Sequence, residues 1–182
     1  YKRQILVTNP NNPTGACLTA DSMDGIVALA DRYQAWILSD EVYRGAEVEG
    51  DVTPSFWGRS ERVLVTNSLS KAYGLPGLRL GWVVGPAPVI QELWGRTDYT
   101  TISPSTLSDH LATIALEPGT RARIMERTRR IIRENFGLMR EWIEGQEGLF
   151  SYRPPDAGAI CYMRYRVPVN SSELAEKLRV EK

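Results

Sequence analysis

Short β-rich apolar runs alternate with a stretch of helical periodicity along the first half of the chain, and this alternation most restricts what it can fold into. The runs are Ile5 to Thr8, Ala35 to Asp40, Arg62 to Ser68 and Leu78 to Gly85. Between the first two, from Asp21 to Tyr33, the residues Met23, Ile26, Val27, Ala30 and Tyr33 recur at helical spacing. Thr19 precedes them and is suited to cap a helix N-terminus. Apolar strands joined by a crossover helix predict an α/β fold on a mostly parallel, buried sheet.

A further helix is expected after Pro88. Another is expected from about Gly119 to Trp142, where Ile124, Thr128, Ile131, Asn135, Leu138 and Trp142 form one stripe. Arg121, Arg123, Arg127, Arg130 and Arg133 occupy other positions there and read as a solvated helix face. After Pro154 to Ala159 comes a strand-like run, Ile160 to Val167, in a second, smaller α+β domain. The expected divisions are residues 1–105, connecting helices over 106–146, and the start of the small domain over 147–182. The chain opens on Tyr1 and stops on a charged run at Lys182, so it reads as a fragment of a longer protein.

Lysine plus arginine and aspartate plus glutamate number 22 each, which leaves no basic excess for a dedicated nucleic-acid binder. Cys17 and Cys161 lie far apart, and His110 has no companion at metal-ligand spacing. Neither a metal site nor a disulfide framework is expected, and a reducing compartment fits best. No apolar run approaches bilayer-spanning length. Trp36, Trp57, Trp82, Trp94 and Trp142 are expected to pack the core and helices, the two cysteines to be small buried side chains, and His110 to sit on a helix surface or interface.

Three loop sequences follow the strand runs, the positions where open α/β sheets bind ligands. Thr8 to Gly15, "TNPNNPTG", holds two Asn-Pro pairs that keep the preceding residues extended, and Gly15 permits a tight exit. Ser39 to Gly45, "SDEVYRG", places Asp40 and Glu41 directly after an apolar strand. In "NSLSKAYGLPGLRLGW", Ser68, Ser70 and Lys71 follow the third strand, and Arg79 is expected on the fourth. Each has a plain reading as well: an edge turn, a carboxylate that caps a helix or faces water, and a solvent-facing loop with a capping serine.

Together the three make a chemical kit. A lysine amine can hold an aldehyde cofactor covalently while Ser68 and Arg79 take its phosphate. Asp40 can keep a pyridine nitrogen protonated, which makes the ring an electron sink. Asn12 and Tyr43 offer an amide and a phenol to a ring oxygen, stabilising its anion and lowering the pKa of the lysine linkage. Pyridoxal 5'-phosphate needs this combination. Ser70 can aid the phosphate or equally cap the turn, and stands outside the expected site residues.

The segments "NPNNPTG", "SDEVYRG" and "SLSKAYGLPGLRLGW", in this order and spacing, resemble the class I/II aminotransferases, the fold type I enzymes that use pyridoxal phosphate. The resemblance covers essentially the whole chain. It implies a three-layer α/β/α fold, with residues 1–105 as the C-terminal part of the large cofactor domain. It also implies Lys71 as the Schiff-base lysine, Asp40 on the pyridine nitrogen, Asn12 and Tyr43 on the ring oxygen, and Ser68 and Arg79 on the phosphate. Catalysis is then expected from Lys71 and Asp40, on an α-amino acid and a 2-oxo acid, in a cytoplasmic homodimer without nucleic-acid or membrane partners. The segment Arg96 to Ser105 resembles the family's region that reaches across the dimer, where Tyr99 or Ser103 would meet the partner's site. Arg164 and Arg166 read as structural or surface residues and not as the family's carboxylate clamp. Two alternatives stay open: a lyase or cyclase on the same fold, either a C-S lyase or an enzyme resembling capreomycidine synthase, and a non-enzymatic pyridoxal-phosphate sensor in a transcription regulator.

Overall fold

The computed structural model describes residues 3–181; the outermost positions of the expected divisions, Tyr1, Lys2 and Lys182, lie outside them. Four strands form one sheet in chain order: β1 (Gln4–Thr8), β2 (Trp36–Asp40), β3 (Val63–Ser68) and β4 (Gly81–Val84). The first three are parallel, with Thr8 opposite Asp40 and Asp40 opposite Thr66; β4 is antiparallel and sets Gly81 against Ser68. This is an α/β fold on a mostly parallel sheet, and it aligns the C-terminal ends of β1, β2 and β3 along one edge.

Helix α1 (Ala20–Arg32) makes the crossover between β1 and β2, and Thr19 caps it by accepting a hydrogen bond from the Ser22 amide at 3.2 Å. Its Met23 and Ala30 pack with Ile37, Phe56, Val63 and Val65 in one apolar cluster. Burial of Phe56 and Met23 is complete, which makes this cluster a principal source of stability. The expectation that the strands are buried on both faces holds only in part, because Leu6 of β1 is 67% exposed.

The chain continues through α2 (Ala87–Thr97), α3 (Thr106–Leu116) and α4 (Pro118–Glu144). The expected stripe on α4 holds in its first half, where Ile124, Thr128 and Ile131 are half-buried, and shifts in its second: Asn135, Leu138 and Trp142 are exposed, and Ile132, Phe136 and Ile143 face inward. The arginines are not all solvated either. Arg121 donates to Tyr73 Oη at 3.1 Å and Arg133 to the Val48 carbonyl at 2.7 Å, while Arg129 donates to the carbonyls of Glu47 and Gly50. Two of these guanidinium groups bind backbone carbonyls and one a phenol, partners that apolar periodicity does not register.

The tryptophan expectation also needs correction. Trp82 stands edge-on to Tyr73 and Trp142 leans on Phe150, but Trp94 is 76% exposed and Trp57 about half exposed. Both cysteines are half-buried and free, not buried.

A two-stranded antiparallel sheet, β5 (Phe150–Tyr152) with β6 (Met163–Tyr165), and helix α5 (Ser171–Val180) complete the chain. The strand expected over Ile160 to Val167 is confined to the three residues of β6. Between β5 and β6 the segment 154–158 folds back onto the main sheet's loops. Val48 N–H donates to the Asp156 carbonyl at 2.9 Å, and Gly158 N–H to the Ala46 carbonyl at 2.8 Å.

Candidate active site

Three loops leave the aligned strand ends, and backbone bonds knit their roots. The Asn9 amide donates to the Asp40 carbonyl, and the Glu41 amide to the Thr66 carbonyl. In the first loop both Asn-Pro peptide bonds are cis. Asn9 is buried and accepts from the Leu18 amide at 2.9 Å, while Asn11 accepts from the Thr14 hydroxyl at 2.7 Å and Gly15 N–H donates to the Asn11 carbonyl. With its flanks fixed this way, Asn12 stands exposed at the tip.

Gly15 adopts φ +69°, and a Cβ there would lie 2.4 Å from Pro155 Cβ. Only glycine fits, so the exit expected from the sequence is set by packing as well as by the turn.

In the second loop, Asp40 and Glu41 part company. Successive strand residues point to opposite faces. Asp40 is half-buried and accepts from the Val42 amide at 3.2 Å. Glu41 is 2% exposed and accepts from the hydroxyls of Ser39 and Ser55 and from the Phe56 amide. It therefore secures the base of the loop. Tyr43 is buried, and its Oη lies 3.5 Å from Asn12 Nδ2.

The third loop holds Lys71 between the buried residues Leu69, Ala72 and Tyr73. The Ala72 amide donates to the Val42 carbonyl, the Gly74 amide to the Lys71 carbonyl, and the Ser70 amide to Ser68 Oγ. The backbone is pinned on both sides, whereas the lysine side chain is exposed and unpaired among the described residues. Arg79 is not on the fourth strand as expected. A short 3-10 turn, Pro76–Leu78, intervenes, and Arg79 takes φ +50° ahead of β4 with Nη1 donating to the Pro76 carbonyl at 2.8 Å.

All six residues singled out from the sequence, Asn12, Asp40, Tyr43, Ser68, Lys71 and Arg79, line one cavity of about 600 Å³. Ser70 lines it too. A second cavity of about 530 Å³ shares Asn12, Tyr43, Ser70 and Lys71 and continues past Arg127 and Thr128 of α4 to Ile160. Lys71 thus stands on the wall common to both chambers. Sequence reasoning missed Arg127, which it grouped with a solvated face. Its five neighbours between Arg121 and Arg133 all reach a partner, while Arg127 has none among the described residues. Burial pushes the Cys17 thiol above its ordinary range, against the Thr53 hydrogen bond, with Asp156 and Glu47 adding to the effect, and Cys17 lines neither cavity.

A family profile described as aminotransferase class I and II matches residues 2–182. A solved structure of a PLP-dependent aminotransferase from Streptococcus suis superposes with a TM-score of 0.90 at 34% identity, covering 98% of this chain and 46% of that one. Capreomycidine synthase from Streptomyces vinaceus is 32% identical over 176 residues, 97% of this chain and 45% of its own length. Aspartate/prephenate aminotransferase from Thermus thermophilus is 29% identical over 180 residues, 97% of this chain and 46% of its own. The chain therefore spans about half the length of the curated relatives it matches. With a profile match over nearly its whole length and a fold shared with fold type I structures, this chain belongs to the class I and II aminotransferase family.

Proposed function

We propose that this chain carries the cofactor site of a pyridoxal-phosphate-dependent aminotransferase that moves the amino group of an α-amino acid to a 2-oxo acid. The observation that carries the reading is the donor set of the 600 Å³ cavity. It offers one unpaired primary amine, one strand-end carboxylate, an amide beside a phenol, and a hydroxyl with a guanidinium. These complement, in turn, an aldehyde, a pyridine nitrogen, a phenolic oxygen and a phosphate, so the residues fit the group.

Bound pyridoxal phosphate supplies an aldehyde that condenses with amines and a protonated ring that accepts electrons from the substrate's α-carbon. Lys71 Nζ would be its covalent anchor and, when free, the base placed to take the substrate's α-proton. The pinned backbone at Leu69, Ala72 and Gly74 keeps that amine over the cavity. Asp40 would hold the proton on the ring nitrogen, Asn12 and Tyr43 would hydrogen-bond the ring oxygen, and Ser68 and Arg79 would bind the phosphate. The second chamber receives the substrate. Its lining includes the cations Lys71 and Arg127 and no carboxylate, which favours an anionic partner such as an amino or keto acid.

A lyase or cyclase remains the second reading, favoured by the similarity to capreomycidine synthase, because the same residues serve both outcomes. Incubating the holoprotein with single amino acids and no keto acid tests the two. Transamination releases the matching keto acid and leaves pyridoxamine phosphate. Release of ammonia, a thiol or a cyclised product with the cofactor unchanged selects the second reading.

Homodimer formation is part of the proposal. Trp94, Tyr99, Ile102 and Leu107 present an exposed apolar run on and between α2 and α3, where a second copy would pack, and sedimentation at the dimer mass tests it. The free cysteines accord with a reducing, cytoplasmic setting, which fractionation of the producing cells would test.

A further inference from the structure

The segment 154–158, although it belongs to the small sheet's connection, touches both loops that carry the cavity's amide and phenol. Asp156 spans them by itself. Its N–H donates to the Gly15 carbonyl at 2.9 Å, its Oδ2 accepts from the Cys17 amide at 3.0 Å, and its carbonyl accepts from the Val48 amide at 2.9 Å. Arg153 Nη2 lies 3.3 Å from the same Oδ2 and orients the carboxylate.

The neighbours of Asp156 reinforce the bridge. Pro155 is buried against Gly15, and the Ala157 amide donates a second bond to the Gly15 carbonyl. Gly158 lies against the Tyr43 ring, where an added Cβ would come within 3.3 Å of Cδ1. Through these contacts one short segment fixes the exit of the Asn12 loop and the back of Tyr43. The gap it governs is narrow: Asn12 Nδ2 and Tyr43 Oη are 3.5 Å apart, at the outer limit of a hydrogen bond, so a small drift of the first loop separates them.

We propose that Asp156 is a positioning residue: by clamping the amide of Cys17 it holds Asn12 beside Tyr43, and so sets the proton affinity of the lysine-bound cofactor. The inference rests on the pyridoxal-phosphate reading of the cavity. Loss of the clamp lets Asn12 move away, the anion on the ring oxygen loses a donor and becomes more basic, and the lysine linkage keeps its proton to higher pH. The connection between β5 and β6 is thereby coupled to the cavity, with the Asp156 carboxylate as its side-chain link to the Asn12 loop.

Two measurements on Asp156→Ala and Asp156→Asn test this. The first is amide hydrogen exchange of the protein without cofactor. A peptide spanning residues 11–17 exchanges severalfold faster in Asp156→Ala, and Asp156→Asn, which keeps an acceptor oxygen, restores most of the protection. The second is the pH titration of the visible band of the holoprotein. Its midpoint rises by about one to two pH units in Asp156→Ala, the size expected from losing one hydrogen bond to the anion, and returns toward the original in Asp156→Asn. Unchanged exchange in Asp156→Ala would overturn the clamp. Faster exchange with an unmoved midpoint would overturn its transmission to the site. Absence of any lysine-linked band in the unsubstituted protein would instead sink the cofactor reading, and the exchange comparison would then decide the clamp alone.

Discussion

Alanine at Gly15 is expected to destabilise the protein by about 2–5 kcal/mol, through two separable costs. The backbone there has φ +69°, which charges an L-residue with a side chain roughly 1–2 kcal/mol. The new Cβ would also sit 2.4 Å from Pro155 Cβ and 2.8 Å from the Ala157 carbonyl oxygen, so that the docked segment must move. Overpacking of that kind costs about 1–3 kcal/mol. Gly50 provides the control, because it has a similar φ of +72° but open space around its Cβ position. Gly50→Ala should therefore show the backbone cost alone. Urea unfolding measures both: at an m-value of about 2 kcal/mol per M, Gly15→Ala lowers the midpoint by roughly 1–2.5 M and Gly50→Ala by less than about 1 M. Equal shifts in the two variants would refute the packing of Pro155 on Gly15, and with it the docking of segment 154–158.

Phe56→Ala removes a fully buried ring and should cost about 3–5 kcal/mol in the same assay; a loss under 1 kcal/mol would mean that the cluster around Met23 and Ile37 is not as packed as described. Glu41→Ala leaves the Phe56 amide and two serine hydroxyls without their acceptor, for an expected loss of about 3 kcal/mol or more, whereas an exposed carboxylate such as Glu49 should change by under about 0.5 kcal/mol when removed. The Cys17 thiol has its pKa raised by burial above the ordinary 9.0, so the folded protein holds that proton where the unfolded chain releases it. The stabilisation is therefore complete below pH 9 and is lost as pH rises through the folded value, and iodoacetamide should label Cys17 more slowly than a free cysteine at pH 8. Equal labelling rates would contradict the burial.

What could be read from the sequence divides along physical lines. The strand ends and their loops were legible because their signals are local: an apolar run that stops, then proline, glycine and a reactive side chain within a few residues. All six candidate site residues sit on such loops or at strand ends, and the parallel register gathers them at one edge. Arg79 was reached by the right motif but given the wrong backbone, since the turn at Pro76 to Leu78 delays the strand. On α4 the apolar stripe pointed to Leu138 and Trp142, yet Phe136 and Ile143 turn inward there, and Arg129 and Arg133 bind backbone carbonyls of the main domain's loops through contacts distant in sequence. Asp40 and Glu41 look alike in a string of letters; strand alternation separates them, and it takes the serines and the Phe56 amide to show which one is structural. Nothing periodic marks residues 154–158, and their meeting with Gly15 depends on the tertiary path of the whole chain.

The central claim is that Lys71 is the covalent anchor of pyridoxal phosphate, and borohydride reduction followed by peptide mapping tests it most directly. The account predicts a single reduced cofactor adduct, on the peptide containing Lys71, and none after Lys71→Ala. An adduct on another lysine, or one that persists in Lys71→Ala, would contradict it.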